Sequence, residues 1–141
     1  MKKLQQLIIA GTLVLITACS ATPKQSLYDE IGGRETLDHA MRLAVNRIYN
    51  DAQIGHFFKG VPKRHIHKEL TDQFCNLIGG PCEYTGKTMV ESHKDLNITD
   101  SDFYILVEYV QGAMRDVGIT YEQENRILRY IAPLKSEIVY L

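Results

Sequence analysis

The sequence predicts an all-α fold, and three observations carry that prediction. From Leu27 onward the apolar residues recur at the three- and four-residue spacing of helices. No stretch alternates apolar and polar residues long enough to make a strand. Helix start and stop signals, a threonine followed three residues later by Glu, Asp or Gln and later a glycine, cut the chain into segments of helical length. There is no internal repeat and no low-complexity segment.

The first element is a targeting segment rather than part of the fold. Lys2 and Lys3 precede an apolar run from Leu7 to Ile16, roughly ten residues and too short to span a bilayer as a helix. The run ends in Ile16-Thr17-Ala18-Cys19, which is similar to the bacterial lipobox, whose cysteine receives a diacylglyceryl thioether and becomes the new N-terminus. The expectation is a lipoprotein signal peptide over 1–18, lipidation at Cys19 and a polar tether over 19–26. Ser20 rather than Asp after the cysteine is similar to the pattern sorted to the periplasmic face of the outer membrane. An ordinary secretory signal with an incidental cysteine, or a single uncleaved anchor, is the alternative. Cleavage before Cys19 leaves 123 of the 141 residues, enough for one domain, expected over 27–141, with a core of its own.

Within that domain a short helix around Leu27 to Ile31 runs into the flexible joint Gly32-Gly33. Leu37, Met41, Ala44, Val45, Ile48 and Tyr49 mark one face of a helix from about Glu35 to Asn50, followed by an apolar corner from Ile54 to Phe58. Pro62 suits the first turn of a third helix, whose stripe is Ile66, Leu70, Phe74, Leu77 and Ile78 and whose stop is Gly79-Gly80-Pro81. Gly86 and Thr88, with Glu91 at capping-box spacing, begin a helix carrying Met89, His93 and Leu96. Thr99 with Asp102 opens the next, striped by Phe103, Leu106, Val107, Val110, Met114 and Val117 and ended by Gly118. Thr120 with Gln123 opens the last, striped by Ile127, Leu128, Ile131, Leu134 and Ile138, with Pro133 inside it as a bend. Four of these helices are substantial.

Composition narrows the function. The 16 Lys and Arg balance 17 Asp and Glu, with no basic block after Lys3, so no clustered basic face exists for nucleic acid. Beyond Cys19 the cysteines are Cys75 and Cys82, an even pair that in an exported protein is expected to be a disulfide. There is no HExxH, CxxC or GxSxG motif, and the carboxylates sit at ordinary solvated-face spacing, which leaves recognisable hydrolase chemistry without support.

Of the five histidines, at 39, 56, 65, 67 and 93, His65 and His67 are two apart and so do not share a helix face; they read as a solvated helix start. His93 follows Met89 by four residues on an apolar helix face. Periodicity alone reads such a residue as a core histidine with a satisfied hydrogen bond, or as a ligand.

A wider set of residues adds to this. Leu27-Tyr28-Asp29-Glu30-Ile31-Gly32-Gly33, Phe57-Phe58, Gly79-Gly80-Pro81, Tyr84-Thr85-Gly86, Met89 with His93, Gly118-Ile119 and Ala132-Pro133-Leu134 occur in this order. Together, from about Leu27 to Val139, they resemble the group I truncated haemoglobins. The resemblance implies a two-over-two helical sandwich around one haem b. His93 matches the proximal iron ligand, bound through Nε2 as a neutral imidazole. Phe58 matches the phenylalanine on the porphyrin face; Met89, Ile98 and Phe103 match proximal contacts, and Phe74 a position lining the ligand tunnel in some members. Tyr84 and Lys87 fall where chain and haem edge approach.

On the distal side the sequence departs from the family pattern. Val45 stands where many members place a hydrogen-bonding tyrosine, and Ile66 and Leu70 stand where polar residues such as glutamine often occur. Val45 is expected to point toward the sixth coordination position, with His67 or Glu69 left open to swing in. A charge-assisted hydrogen bond to oxygen contributes ~1.5–3 kcal/mol, so its loss implies oxygen held roughly tenfold to a hundredfold less tightly. The resemblance thus implies a haem globin that reversibly binds or carries O2, with NO and CO as further ligands, outside the cytoplasm and anchored to a membrane through Cys19. Its alternatives are a nitric oxide dioxygenase, which needs an electron donor the sequence does not identify, a gas- or redox-sensing haem lipoprotein, and a lipoprotein that kept the fold without haem.

Overall fold

In the computed structural model residues 25–141 are described; the expected signal segment, Cys19 and most of the expected tether lie outside them. The helices are α1 (Leu27–Glu30), α2 (Gly33–Asn50), α3 (Lys63–Leu77), α4 (Met89–His93), α5 (Asp100–Asp116) and α6 (Tyr121–Ile131). 3-10 turns at Gly55–Phe58 and Ala132–Glu137 complete the described elements, none of which is a strand. Among the described residues no helix is long and apolar enough to cross a membrane.

Local chemistry explains where the helices begin and end. Thr88, Thr99 and Thr120 each cap a helix, with Glu91, Asp102 and Gln123 returning the bond in a reciprocal capping box. Both α3 and α5 end in a Schellman motif. Gly79, at φ 84°, lets the Gly80 N–H reach the Cys75 carbonyl at 2.8 Å, and Gly118, at φ 85°, lets the Ile119 N–H reach the Met114 carbonyl at 3.0 Å. Three expectations need correction. Leu96 does not ride on the helix of Met89 and His93, which ends at His93. Pro62 is the N-cap of α3 rather than part of its first turn. Pro133 does not bend a continuous last helix; α6 stops at Ile131 and the chain tightens into the 3-10 turn. Its ring clashes with the carbonyl four residues back and it has no N–H to give, so the α-helical ladder ends before it.

The long helices make two layers. α2 lies against α3 in one, α5 against α6 in the other, and α2 packs across onto α5. This is the expected two-over-two arrangement. Leu37, Ala40, Met41, Ala44 and Ile48 of α2 meet Val110, Ala113 and Met114 of α5 and Ile127 of α6 in a core closed to solvent. One charge is buried there. Glu124 is fully covered and accepts from Arg115 Nε at 2.7 Å, Arg115 Nη2 at 2.6 Å and Gln111 Nε2 at 2.7 Å. Arg115 holds this carboxyl below the usual range against the opposing effect of burial.

Cys75, at the end of α3, is joined to Cys82 by a disulfide with Cα atoms 5.7 Å apart. The loop folds tightly over it. A Cβ on Gly80 would lie 2.5 Å from Cys75 Sγ and 2.7 Å from the Tyr28 ring, so only glycine fits.

Candidate functional site

The two layers part around a cavity of about 590 Å³, within the range of small-molecule and cofactor sites. Eight of the nine expected cofactor contacts line it: Phe58, Ile66, Leu70, Phe74, Met89, His93, Ile98 and Phe103. Phe58 arrives on the 3-10 corner, Ile66, Leu70 and Phe74 on α3, Met89 and His93 on α4, and Phe103 on α5. The 3-10 turn at Ala132–Glu137, with the residue after it, adds Leu134 and Ile138 and packs against α4.

Val45 is the exception. It is 1% exposed, but it lines a separate recess of about 160 Å³ with Arg42, Asn46, Lys63, Arg64 and His67, not the large cavity. Its arc of α2, shared with Arg42 and Asn46, faces the first turn of α3, while Met41, Ala44 and Ile48 face the core. His67 sits in the same recess, its Nε2 donating to the Asp38 carbonyl at 3.1 Å and lying 3.2 Å from Asp38 Oδ1. Of the two side chains expected near the distal edge, Glu69 lines the large cavity and His67 does not.

His93 is half-buried at the end of α4, with its Nδ1 2.6 Å from the Met89 carbonyl oxygen. A carbonyl only accepts, so Nδ1 carries the proton, and in the neutral ring Nε2 is left with its lone pair. Nε2 has no hydrogen-bond partner among the described residues. The supporting turn is fixed at both ends. Thr88 and Glu91 close the capping box at its start, with the Thr88 N–H donating to Glu91 Oε2 at 2.9 Å. Asp95 at φ 64° and Asn97 at φ 53° turn the chain out of it, a left-handed conformation that costs energy in non-glycine residues. The Tyr140 N–H then ties the C-terminus to the Ile98 carbonyl at 2.9 Å.

Polar groups gather along part of the wall: His65, Glu69, Tyr84, Lys87 and Ser92. Burial, with the Glu69 carboxylate nearby, pushes the Tyr84 phenol up, so it stays protonated and donates to the Lys87 carbonyl at 2.8 Å. A Cβ on Gly86 would fall 2.2 Å from Glu69 Oε2 and 2.5 Å from the Tyr84 ring, so the glycine lets the loop lie close against the wall. The sequence reading passed over Gln73, which also lines the cavity. The signal was available, a polar residue seven positions after Ile66 within an apolar stripe. Among the described residues no three His, Cys, Asp or Glu side chains converge as a metal cluster.

This donor set fits an iron porphyrin. Apolar and aromatic walls suit the macrocycle, one imidazole nitrogen with its lone pair free suits the iron, and a polar margin suits the acidic edge.

Comparison with known proteins agrees. The bacterial-like globin family matches residues 26–140. The group 1 truncated hemoglobin of Tetrahymena pyriformis is 29% identical over 115 residues, covering 82% of this chain and 95% of that protein. The group 1 truncated hemoglobin GlbN of Mycolicibacterium paratuberculosis is 33% identical over 113 residues, covering 80% of this chain and 83% of that one. The crystal structure of the Tetrahymena pyriformis protein in its Fe(III) form aligns with a TM-score of 0.78 over 82% of this chain and 98% of that chain, at 29% identity. The chain belongs to the bacterial-like globin family and is a haem-binding globin of the group 1 truncated haemoglobin type.

Proposed function

We propose that this globin reversibly binds small diatomic gases, O2 foremost with NO and CO as further ligands, at a haem iron held by His93. The observation that carries this reading is the pairing of one accepting imidazole nitrogen, fixed by the Met89 carbonyl, with the apolar side chains of Ile66 and Leu70 in the wall of the same cavity. Haem, when bound, supplies an iron with one coordination position open to a gas. His93 Nε2 would hold that iron, and the Nδ1 hydrogen bond to the Met89 carbonyl sets the tautomer and orientation of the ring. Phe58, Phe74 and Phe103 exclude water, and neither Ile66 nor Leu70 offers a side chain that could take the gas position itself. Lys87 and His65, on the polar part of the wall, are placed to meet the propionates.

The second half of the proposal is place. The lipobox-like Ile16-Thr17-Ala18-Cys19 supports a lipid-anchored globin outside the cytoplasm, on the periplasmic face of the outer membrane.

One set of absorption spectra tests the gas reading. Freshly purified protein is expected to show an intense Soret band that shifts on reduction and shifts again, reversibly, under CO and O2. Protein that takes up no haem, or whose ferrous form ignores both gases, refutes it.

A further inference from the structure

Away from the large cavity, the recess over Val45 is lined by Arg42, Asn46, Lys63, Arg64 and His67 and by no acidic residue. Arg42 and Asn46 stand at i and i+4 on α2, and Lys63 and His67 at i and i+4 on α3, so two helix faces bring their polar groups to one hollow. Its volume of about 160 Å³ takes a phosphate group with a few waters.

The positive charges there are not spent on the fold. Of the seven arginines, Arg34, Arg47, Arg115 and Arg126 are paired with carboxylates. Arg42 and Arg64 have no such partner among the described residues, and Lys63 has only the face of the Tyr49 ring, 5.4 Å from its centroid. His67 is turned to the Asp38 carbonyl and carboxylate. Three cations therefore line one hollow and repel one another. Their placement also runs against the helix dipole. Lys63, Arg64 and His65 open α3, whose first turn holds no acidic residue and whose N-cap, Pro62, gives no side-chain acceptor. The starts of α4, α5 and α6 all carry acidic residues. An anion in the recess offsets both costs.

We propose that this recess binds a phosphate group, supplied by a soluble phosphate or by the headgroup of an acidic phospholipid. The guanidinium forks of Arg42 and Arg64 suit pairs of phosphate oxygens, Lys63 adds a third positive charge, and the Asn46 amide adds a neutral donor. A phosphate monoester carries up to two negative charges near neutral pH, so it matches three cations better than a carboxylate does. The site lies apart from the cavity of His93, and its failure would leave the haem–gas reading untouched.

The test uses the haem-loaded full chain as wild type, Arg42→Gln, Arg64→Gln and, as a control, Arg129→Gln, an exposed arginine of α6 outside the recess. Thermal unfolding is followed while inorganic phosphate replaces chloride at constant ionic strength. Wild type and Arg129→Gln should gain roughly 5–10 °C in a saturable way, with half-saturation about tenfold higher in the two recess variants. In chloride alone the recess variants should melt no lower than wild type, because each removes repulsion; an arginine that only braces the fold would show the opposite. Co-sedimentation with vesicles of phosphatidylcholine, alone or mixed in equal parts with phosphatidic acid, separates the sources. Extra binding with phosphatidic acid, weakened in both recess variants, assigns the site to a lipid headgroup; stabilisation by inorganic phosphate without it assigns the site to a solute, and both together to either. Responses equal in all four proteins or absent from all overturn the proposal, as do recess variants that melt several degrees lower than wild type in chloride.

Discussion

Reducing the Cys75–Cys82 bridge is the perturbation whose cost can be worked out most directly. The two residues are seven apart in sequence. For so short a closed loop the chain-entropy relation gives about 2.5 kcal/mol at 25 °C, all of it acting on the unfolded chain. For a domain of this size that corresponds to a fall in melting temperature of roughly 10 °C. Reduction is cleaner than substitution: Cys75 is fully buried against Gly80 and Tyr28, and Cys75→Ala would add the cost of a cavity. The effect should reach the site, because Gln73 and Phe74 immediately precede one cysteine and Tyr84 and Gly86 closely follow the other. Thermal unfolding by circular dichroism, with and without a reductant and at equal haem loading, measures the stability. Transfer of haem to an excess acceptor protein measures its retention, and thiol titration confirms the state of the bridge. A melting temperature within about 2 °C of the oxidised value, with both thiols shown to be free, would refute the reasoning.

His93→Gly should abolish stable haem retention while far-ultraviolet dichroism keeps its helical signal, and added imidazole should restore the Soret band; a normal ferrous-CO spectrum without imidazole would overturn the ligand assignment. Arg115→Ala should lower stability at pH 7, by less than breaking a fully buried pair, because the Arg115 side chain is 57% exposed and Gln111 still serves Glu124. In the wild type the Glu124 carboxyl is held low, so its contribution is complete above the ordinary Glu value of about 4.3 and is lost as the pH falls through its lower folded value. Without Arg115, burial pushes that carboxyl up instead, so the variant's deficit, read from urea midpoints, should shrink as acid protonates Glu124; a deficit unchanged between neutral and acid pH would contradict this. Cys19→Ser should move the protein from the membrane fraction to the soluble one and abolish incorporation of labelled fatty acid; a variant that stays membrane-bound and labelled would place the lipid elsewhere.

Much of this molecule is legible in the sequence because its helix boundaries are written locally. Thr88, Thr99 and Thr120 start helices through partners three residues away, and Gly79 and Gly118 stop them through bonds closed within six residues. What the sequence does not show is set by packing. Val45 stands at the edge of the apolar stripe of Met41 and Ile48, and the packing of α2 against α3 leaves that edge, with Arg42 and Asn46, facing the small recess. Gln73 was obscured for the converse reason, since a polar residue in an apolar stripe gains meaning only once the stripe is known to face a cavity rather than another helix. Pro133 marked a change in the last helix, but whether such a residue bends a helix or ends it depends on what the following turn can pack against, here α4.

His93, the proposed iron ligand, rides on one of the smallest pieces of the fold. α4 has five residues, far below the length at which a helix is stable alone, so it persists because it is clasped at Thr88 and leaned on by the C-terminal turn. Such a segment can come undone by itself, at a free energy well below that of unfolding the four long helices around it. With His93 as the ligand, haem would then enter and leave through the opening of a single short turn while the rest of the molecule stays assembled. The lifetime of the cofactor and the lifetime of the fold are then separate quantities: mutations that strengthen the α2–α5 core would lengthen the second without lengthening the first.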